Sequence, residues 1–371
     1  RGQAKERHGT SGAQAPVYVG NQGGIKSHTL AFTAILAPPM TARFDTLSAW
    51  LATQRPGQTF TLKPASSDAS FRRYFRATFA DGATAIVMDA PPEHENCEPF
   101  VRVSGLLAAA GVHVPRVHAQ DLQQGFLLLD DLGSTTYLAG LTEDKARALY
   151  LDAIDALVLI QQAAGGDSLP PYDEALLTRE MNLFPEWFAS RHLGKPFDHD
   201  TLTVWKDAQR LLLDAIQAQP RVLVHRDYHC RNLMVSQPNP GVLDFQDAVY
   251  GPLTYDLVSL LKDAYLEWPE EFILDMVIRY WEKARKAGLP VQADIDSFYR
   301  DFEWMGVQRH LKVAGIFARL SHRDGKHAYL DDIPLVVHYL KRTCKRYTEL
   351  LPLGRLIQSL VGEDEQVGYT F

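Results

Sequence analysis

One stretch of the sequence, VLVHRDYHCRNLMV, constrains the fold more than any other. It spans Val222–Val235 and consists of two apolar runs that flank a polar loop. Short apolar runs bounded by polar residues are typical of buried strands. The loop presents His225, Asp227 and Asn232, and the next strand-like segment, VLDF, delivers a further carboxylate, Asp244. The pattern therefore predicts a strand–loop–strand unit that displays these four side chains.

This spacing meets the chemical needs of ATP-dependent phosphoryl transfer. Because the γ-phosphoryl group passes through a loose transition state, an enzyme mainly positions groups and neutralises charge. We expect Asp227 to accept the proton of the acceptor hydroxyl, and Asn232 and Asp244 to bind Mg²⁺, which prefers oxygen ligands. His225 is predicted to orient the loop backbone. The pattern resembles the H-R-D-x-x-x-x-N catalytic loop of protein-kinase-like phosphotransferases; the alternative is a chance tripeptide at a strand end.

A second motif follows at Gly251–Leu257, which reads GPLTYDL. In the kinase-like fold, an aspartate that opens the next long helix holds the catalytic loop from beneath. Asp256 stands where a helix N-cap is expected, because Val258–Leu261 begins a helical pattern. We expect Asp256 to support the catalytic loop, with a plain helix cap as the alternative.

Taken together, H-R-D-Y-H-x-x-N, L-D-F-Q-D and G-P-x-x-Y-D-L resemble the aminoglycoside phosphotransferase family of small-molecule kinases. The resemblance implies an α+β, protein-kinase-like two-lobed fold, with a small N-terminal antiparallel sheet lobe and a larger helical C-terminal lobe. It also implies ATP and Mg²⁺ as cofactors. His229 matches the histidine that this family often carries two residues after the base, and it is therefore a predicted catalytic residue.

Further segments resemble a bacterial subgroup of this family that phosphorylates the anomeric hydroxyl of N-acetylmuramic acid and N-acetylglucosamine. They are Ser66–Arg76, Val87–Glu95, Phe126–Gly133 and Arg179–Phe188. The resemblance implies peptidoglycan recycling in the cytoplasm, with the 1-phosphate passed to a nucleotidyltransferase that makes the UDP-sugar. We expect a monomer. A kinase of the aminoglycoside, choline or homoserine type, or a catalytically inactive nucleotide-binding scaffold, remains an alternative.

Composition argues against several other kinds of protein. A formal net charge of −7 and an isoelectric point near 6.0 give no basic surface for nucleic acid. The 3 cysteines, which show no C-x-x-C spacing, fit a reducing cytoplasm better than a disulfide framework. No apolar segment approaches the roughly 18 residues that a membrane-spanning helix needs. His225 and His229 lie four apart, but no third zinc ligand sits at suitable spacing.

The chain of 371 residues is long enough for two lobes with separate cores. We expect residues 1–39 to be a disordered upstream or non-native extension, with a targeting segment as the alternative. Residues 40–132 are predicted to form the nucleotide-binding lobe, and residues 133–371 the catalytic and acceptor-binding lobe. Helical periodicity in the second lobe predicts the following helices: 143–163, 176–192, 200–217, 270–288, 293–320 and 334–351.

In the nucleotide-binding lobe, Leu129–Gly133 is predicted to be the hinge between the lobes. We expect the backbone of Asp130 and Leu132 to contact adenine there. The loop that would cover the phosphates has no G-x-G-x-x-G and reads SSDAS instead. Ser67 and Ser70 are its predicted nucleotide-binding residues, because small residues let backbone N–H groups approach phosphate. An ordinary polar hairpin loop is the alternative.

The strand lysine that should contact the α- and β-phosphates is missing, since Met88 lies near that position. The candidate replacements are Arg73, which we favour, Arg76 and Lys63. Alternation places Arg73 on the opposite face of its strand from Arg72 and Arg76, so only some of them can face the cleft. Glu95 and Glu98 are candidate partners for such a cation, with a helix N-terminus that favours acidic residues as the alternative. A solvated strand face is the alternative for these arginines.

The acceptor site is predicted on the helical lobe, facing the catalytic loop. Glu180 and Asn182 are predicted to hydrogen-bond sugar hydroxyls or an acetamido group, with an exposed helix face as the alternative. Arg231 and Asp247, which adjoin the motifs, are further substrate-binding candidates. A lactyl carboxylate would pair with Arg231 or Arg226. This region has no dense acidic run of the kind a polycationic aminoglycoside would need, which favours a neutral or acidic sugar.

Overall fold

The structure, a computed structural model, describes residues 38–67 and 71–362. Side chains are described for residues 42–65 and 71–362. The predictions for residues 1–37, for Ser70 and for the side chain of Ser67 lie outside the described residues. Within those ranges, no helix combines the length and the apolar character needed to cross a bilayer.

The smaller lobe is a five-stranded antiparallel sheet with helix α1 (Pro38–Gln54) against one face. The strands pair in the order β1-β2-β3-β5-β4. They are β1 (Phe60–Ser67), β2 (Arg73–Phe79), β3 (Thr84–Asp89), β4 (Val117–Asp121) and β5 (Phe126–Leu129). The β2–β3 turn contains Gly82, whose φ of 82° suits a residue without a Cβ. Helix α2 (Glu98–Ala109) follows β3.

The two faces of this sheet meet different partners. Phe75 of β2 and Val87 of β3 pack with Leu47 of α1 in a small core. Tyr74 and Arg76 of β2 face the other way and line a cleft. Because successive side chains of a strand point to opposite faces, the odd-numbered residues of β2 lie on the α1 side and the even-numbered residues on the cleft side.

The larger lobe is built from helices. They are α3 (Tyr137–Gly140), α4 (Glu143–Gln161), α5 (Glu174–Met181), α6 (His199–Gln217), α7 (Tyr255–Leu261), α8 (Glu270–Lys286), α9 (Ile295–Asp324), α10 (Ile333–Arg346) and α11 (Leu351–Val361). Two short strand pairs frame the polar loop: β6 (Arg221–Val224) with β9 (Val249–Pro252), and β7 (Leu233–Met234) with β8 (Gly241–Val242). The predicted α+β, two-lobed fold is confirmed. The domain boundary after residue 132 stays a prediction.

Two predicted helices have different bounds in the structure. The helix predicted over 176–192 is divided, because α5 ends at Met181 and a π-helix over Phe184–His192 follows. Pro185 has no N–H to donate, which interrupts the α-helical hydrogen-bond ladder there. The helix predicted over 334–351 ends at Arg346, and α11 begins separately at Leu351.

Candidate active site

The polar loop after β6 is fixed from beneath by a buried carboxylate. Asp256, with none of its surface exposed, accepts hydrogen bonds from the backbone N–H groups of His225 at 2.7 Å and Arg226 at 3.0 Å. Burial raises the pKa of Asp256 to about 7, although these two hydrogen bonds oppose the shift. Asp256 lies in the first turn of α7, and Thr254 is the N-cap residue, so the predicted N-cap position is wrong by two residues.

His225 links the loop to the segment that carries Asp244. Its Nε2 lies 2.9 Å from the carbonyl oxygen of Leu243, and its Nδ1 accepts a hydrogen bond from the N–H of Asp227 at 3.2 Å. A ring that donates through one nitrogen and accepts through the other is neutral. Burial lowers the pKa of His225 to about 4, which agrees with a neutral ring. The contacts match the predicted loop-orienting role, which remains a proposal.

The structure brings Asn232 and Asp244 together. The Asn232 Nδ2 donates to the Oδ2 of Asp244 at 3.2 Å and to the backbone oxygen of Asp227 at 3.0 Å. Gln246 donates to the other carboxylate oxygen of Asp244 at 2.7 Å. One carboxylate and one amide, side by side, fit Mg²⁺ when phosphate oxygens and water complete its coordination. No group of three or more His, Cys, Asp or Glu that could hold a metal occurs in the described part of the chain.

Backbone strain coincides with this centre. Among the described residues, Arg226 and Asp244 are the non-glycine residues with positive φ, at 77° and 63°. Such conformations cost roughly 1–3 kcal/mol and persist where the surrounding structure enforces them. Here Arg226 directly precedes the predicted base, and Asp244 is a predicted metal ligand.

Several cations lie around Asp227. Burial alone would raise the pKa of its carboxyl group, but Lys312, His229, Arg309 and Arg226 lower it, to about 2. The carboxylate is therefore ionised and a weak base. The α9 cations Arg309 and Lys312 were not among the residues predicted from the sequence. The signal in the sequence was that both are charged residues among the apolar residues of the predicted helix over 293–320, and in the structure both are buried in α9.

His229 lies on the same loop, against the ring of Tyr265 at a centroid distance of 5.5 Å. Its Nδ1 atom is buried and has no hydrogen-bond partner among the described residues. Burial lowers the pKa of His229, although Asp263 and Asp227 act in the opposite direction. Its predicted catalytic role remains a proposal.

Glu180 occupies the floor beneath the loop rather than an exposed helix face. It is 6% exposed. Its carboxylate accepts from the hydroxyl of Tyr172, from Arg226 at 2.5 Å and from Lys312 at 3.1 Å. These three donors occupy most of the accepting sites of the carboxylate, so Glu180 acts on the site through Arg226 and Lys312.

Asn182 is not brought to the catalytic loop. Its side-chain oxygen accepts hydrogen bonds from Gln209 at 3.0 Å and from Trp205 at 3.4 Å, both on α6. The side chain therefore joins α5 to α6, and we do not retain Asn182 as a substrate-binding residue.

Arg231 lies at the edge of the cleft, with its guanidinium 3.6 Å from the ring centroid of Tyr265 and 3.9 Å from the carboxylate of Asp332. It lines the same cavity as Asn232. Asp247 is exposed, and its backbone oxygen accepts from Arg226 at 3.4 Å. Both residues remain acceptor candidates by their position beside the loop.

A cavity of about 360 Å³ separates the sheet from the helical lobe. Tyr74 and Leu129 line it from the sheet side, and Asn232 and Asp244 line it from the other. The predicted hinge residues Asp130 and Leu132 also line it. This placement agrees with an adenine pocket, which remains a proposal.

Arg73 is not in this cavity. Its Nε donates to Asp89 at 3.0 Å, and Arg43 of α1 donates to the same fully buried carboxylate at 2.8 Å. Because Arg73 is an odd-numbered residue of β2, it lies on the α1 side of the sheet, and we do not retain it as a phosphate ligand. Arg72, one residue earlier, instead lies between Glu95 and Asp244.

A cleft between a small sheet and a helical lobe, with Asn232 and Asp244 on its wall and Asp227 on the adjoining loop, places the protein in the class of two-lobed phosphotransferases. The model of the "Phosphotransferase enzyme family" matches residues 61–289. The chain belongs to this family, and it is an ATP-dependent phosphotransferase.

Curated relatives are similar along most of the chain. A protein of Neisseria meningitidis serogroup B named N-acetylmuramate/N-acetylglucosamine kinase is 52% identical over 88% of this chain and 98% of its own length. A Pseudomonas putida protein of the same name is 54% identical over 81% of this chain and 88% of its own length. Among solved structures, Plasmodium vivax ethanolamine kinase has a TM-score of 0.57 at 13% identity and covers 86% of this chain and 89% of its own. That last likeness concerns the fold alone.

Proposed function

We propose that this protein phosphorylates the anomeric hydroxyl of N-acetylmuramic acid and N-acetylglucosamine, using ATP, and so forms their 1-phosphates. One structural observation carries the reaction: Asp227 is held in a rigid loop beside the pair formed by Asn232 and Asp244. The acceptor is inferred from relatives that are 52% and 54% identical and carry this activity in their names.

In the proposed mechanism, Asp227 accepts the proton of the acceptor hydroxyl as its oxygen attacks the γ-phosphorus. Asn232 and Asp244 would hold Mg²⁺, which when bound neutralises phosphate charge. His225 and Asp256 fix the loop backbone, so the base does not have to be reordered during reaction. Positioning of this kind contributes a large share of the rate in phosphoryl transfer.

The surroundings of Asp227 support an anomeric acceptor. Three cations, Arg226, Arg309 and Lys312, make the carboxylate a weak base. An efficient general base needs a pKa matched to the group that it deprotonates. An anomeric hydroxyl is more acidic than an ordinary alcohol, so a weaker base can deprotonate it.

The same cations support an acceptor that is neutral or anionic. Polycationic acceptors would meet like charge at Arg226 and Lys312, which lie next to the base. A lactyl carboxylate, which N-acetylmuramic acid carries and N-acetylglucosamine lacks, would find a cation at Arg226 or Arg231. Opposite charge at a partly desolvated site adds affinity, and like charge excludes other ligands.

The proposal extends to the cellular setting. A sugar 1-phosphate is the substrate class of nucleotidyltransferases, so we propose that such an enzyme consumes the product to make a UDP-sugar in peptidoglycan recycling. ATP as the phosphate donor supports action in the cytoplasm. That the protein acts as a monomer stays a prediction.

The direct test is an acceptor panel with ADP release as the readout and phosphorus NMR of the products. We expect turnover with N-acetylmuramic acid and N-acetylglucosamine, phosphate on C1, and no turnover with aminoglycosides, choline or homoserine. Turnover with one of the latter alone would overturn the acceptor assignment. Binding of MgATP without turnover on any acceptor would overturn the reaction.

Asp227→Asn tests the mechanism within that panel. We expect kcat to fall by about 10²–10⁴-fold, the usual contribution of a general base, with MgATP affinity unchanged. Asp207→Asn, an exposed carboxylate on α6, is the matched control and should keep full activity. Full activity in Asp227→Asn would contradict its role as the base.

A further inference from the structure

The site still lacks an assigned cation that would bind the nucleotide phosphates. Met88 of β3 occupies the position near which a lysine is expected, and it is 1% exposed within an apolar core. The predicted metal ligands, Asn232 and Asp244, lie near the phosphate end of the cleft and bring no positive charge. The candidates to replace the lysine are therefore cations of neighbouring elements.

Most cations of β1 and β2 are committed elsewhere. Arg73 binds Asp89 on the α1 side of the sheet. Arg76 faces the cleft, but its guanidinium donates to Asp131 at 2.6 Å and to the carbonyl oxygen of Gly133 at 2.8 Å, at the hinge end. Lys63 pairs in register with Arg76, so it lies at the same end of the sheet.

Arg72 lies at the opposite end of β2, next to the predicted metal ligand. Its Nη1 atom is 4.0 Å from the Oδ1 of Asp244, and its side chain is 12% exposed. Glu95 accepts from its Nε at 3.1 Å and from the backbone N–H of Phe71 at 3.2 Å. One carboxylate therefore fixes both the guanidinium and the backbone that carries it.

We propose that Arg72 binds the phosphates of the nucleotide and that Glu95 positions it, so that an arginine–glutamate pair replaces the missing strand lysine. A cation 4.0 Å from Asp244 is within reach of phosphates held at that carboxylate by a metal. A guanidinium offers a planar set of donors that matches phosphate oxygens. The proposal rests on the ATP-dependent reaction proposed above.

The test separates phosphate binding from adenosine binding in the absence of any acceptor. Dissociation constants for MgADP and for adenosine are measured by calorimetry in the wild type and in Arg72→Gln and Arg73→Gln. The two variants carry the same substitution on adjacent residues that face opposite sides of the sheet. We expect Arg72→Gln to weaken MgADP by tenfold or more and adenosine by less than twofold. Arg73→Gln should keep the wild-type ratio of the two constants.

Two further variants guard against a merely structural effect. Arg72→Lys keeps the positive charge but loses the planar donor set of the guanidinium. Its MgADP affinity should therefore be intermediate between those of the wild type and Arg72→Gln. Glu95→Gln should weaken MgADP in the same direction by a smaller factor. An unchanged ratio of MgADP to adenosine affinity in Arg72→Gln would overturn the proposal, and a changed ratio in Arg73→Gln alone would assign the role to Arg73. The acceptor assignment can fail without affecting these measurements, because no acceptor is present.

Discussion

At the scale of single residues, the side chain of His225 links two segments of the predicted site. Its two ring nitrogens contact the backbone of Leu243 and of Asp227, which belong to segments on either side of the site. Both contacts require a neutral ring with a defined tautomer. Because burial lowers the pKa of His225 to about 4, the ring stays neutral at physiological pH and both contacts persist.

Asp256→Asn tests the support beneath the loop. Asn offers one oxygen to the N–H groups of His225 and Arg226, where Asp offers two. Leaving a buried N–H unpaired costs about 1–3 kcal/mol, so the free energy of unfolding should fall. We also expect a lower kcat with little change in the KM for ATP, because the base shifts while the nucleotide cleft does not. Urea unfolding and steady-state kinetics measure both.

The stability difference between wild type and Asp256→Asn should depend on pH. The pKa of Asp256 is about 7 in the folded protein, above the roughly 3.9 of an unfolded aspartate. A raised pKa means that folding takes up a proton, so the stabilisation is present at low pH and is lost as pH rises through 7. The advantage of wild type should therefore be smaller at pH 8.5 than at pH 5. A constant or growing advantage would contradict this, and the exposed Asp207→Asn should show no such trend.

The sequence could predict some of these residues and not others, for a physical reason. Asp227 and Asn232 sit at a fixed offset within one loop, so their proximity follows from local spacing. Arg72 and Arg73 are adjacent, and their roles depend on which face of β2 meets the cleft. Which face of β2 meets the cleft is determined by the packing of α1 on Phe75. This is a contact between distant segments, and the alternation of side chains alone does not predict it.

At the scale of elements, helix α9 joins the surroundings of Asp227 to the rest of the larger lobe. It carries Arg309 and Lys312 and packs against α5, α6, α7 and the π-helix over Phe184–His192. Its periodicity predicted a helix over 293–320, and the structure has Ile295–Asp324. Long periodic helices are predictable from sequence. The π-helix beside it was not, because its hydrogen-bond pattern leaves no distinct period in the apolar residues.

Gly315→Ala tests how closely α9 approaches its neighbour. A Cβ at Gly315 would overlap the backbone of Leu183, which cannot move aside as a side-chain tip can. We expect the free energy of unfolding to fall by about 1–3 kcal/mol, the usual cost of overpacking. The KM for the sugar should also rise, since Lys312 lies one turn away on α9. Urea unfolding and acceptor kinetics provide the measurements.

Gly306→Ala is the control on the same helix. The nearest atom to its added Cβ would be a side-chain carbon of Val258 at 3.7 Å, an ordinary contact. Ala is favoured over Gly in a helix by up to about 1 kcal/mol, so this variant should be neutral or more stable. Equal losses of unfolding free energy in the two variants would show that these glycines provide helix flexibility rather than room for close packing.

At the scale of the whole molecule, charge is distributed unevenly. The chain has a formal net charge of −7, yet Arg226, Arg309 and Lys312 surround the base. The overall composition predicts no basic surface, and it could not reveal this local cluster. The three cations come from two segments far apart in sequence, and only the packing of α9 against the loop brings them together.

This uneven charge predicts different salt dependence for the two proposed acceptors. N-acetylmuramic acid carries a carboxylate and N-acetylglucosamine does not, so only the former gains attraction from the cationic cluster. The screening length falls from about 30 Å at 0.01 M salt to about 10 Å at 0.1 M. With MgATP saturating, kcat/KM for N-acetylmuramic acid should therefore fall with rising salt, while that for N-acetylglucosamine stays nearly constant. Parallel salt profiles would show that the lactyl carboxylate does not meet these cations, and N-acetylglucosamine serves as the internal control because it shares the reaction and the nucleotide.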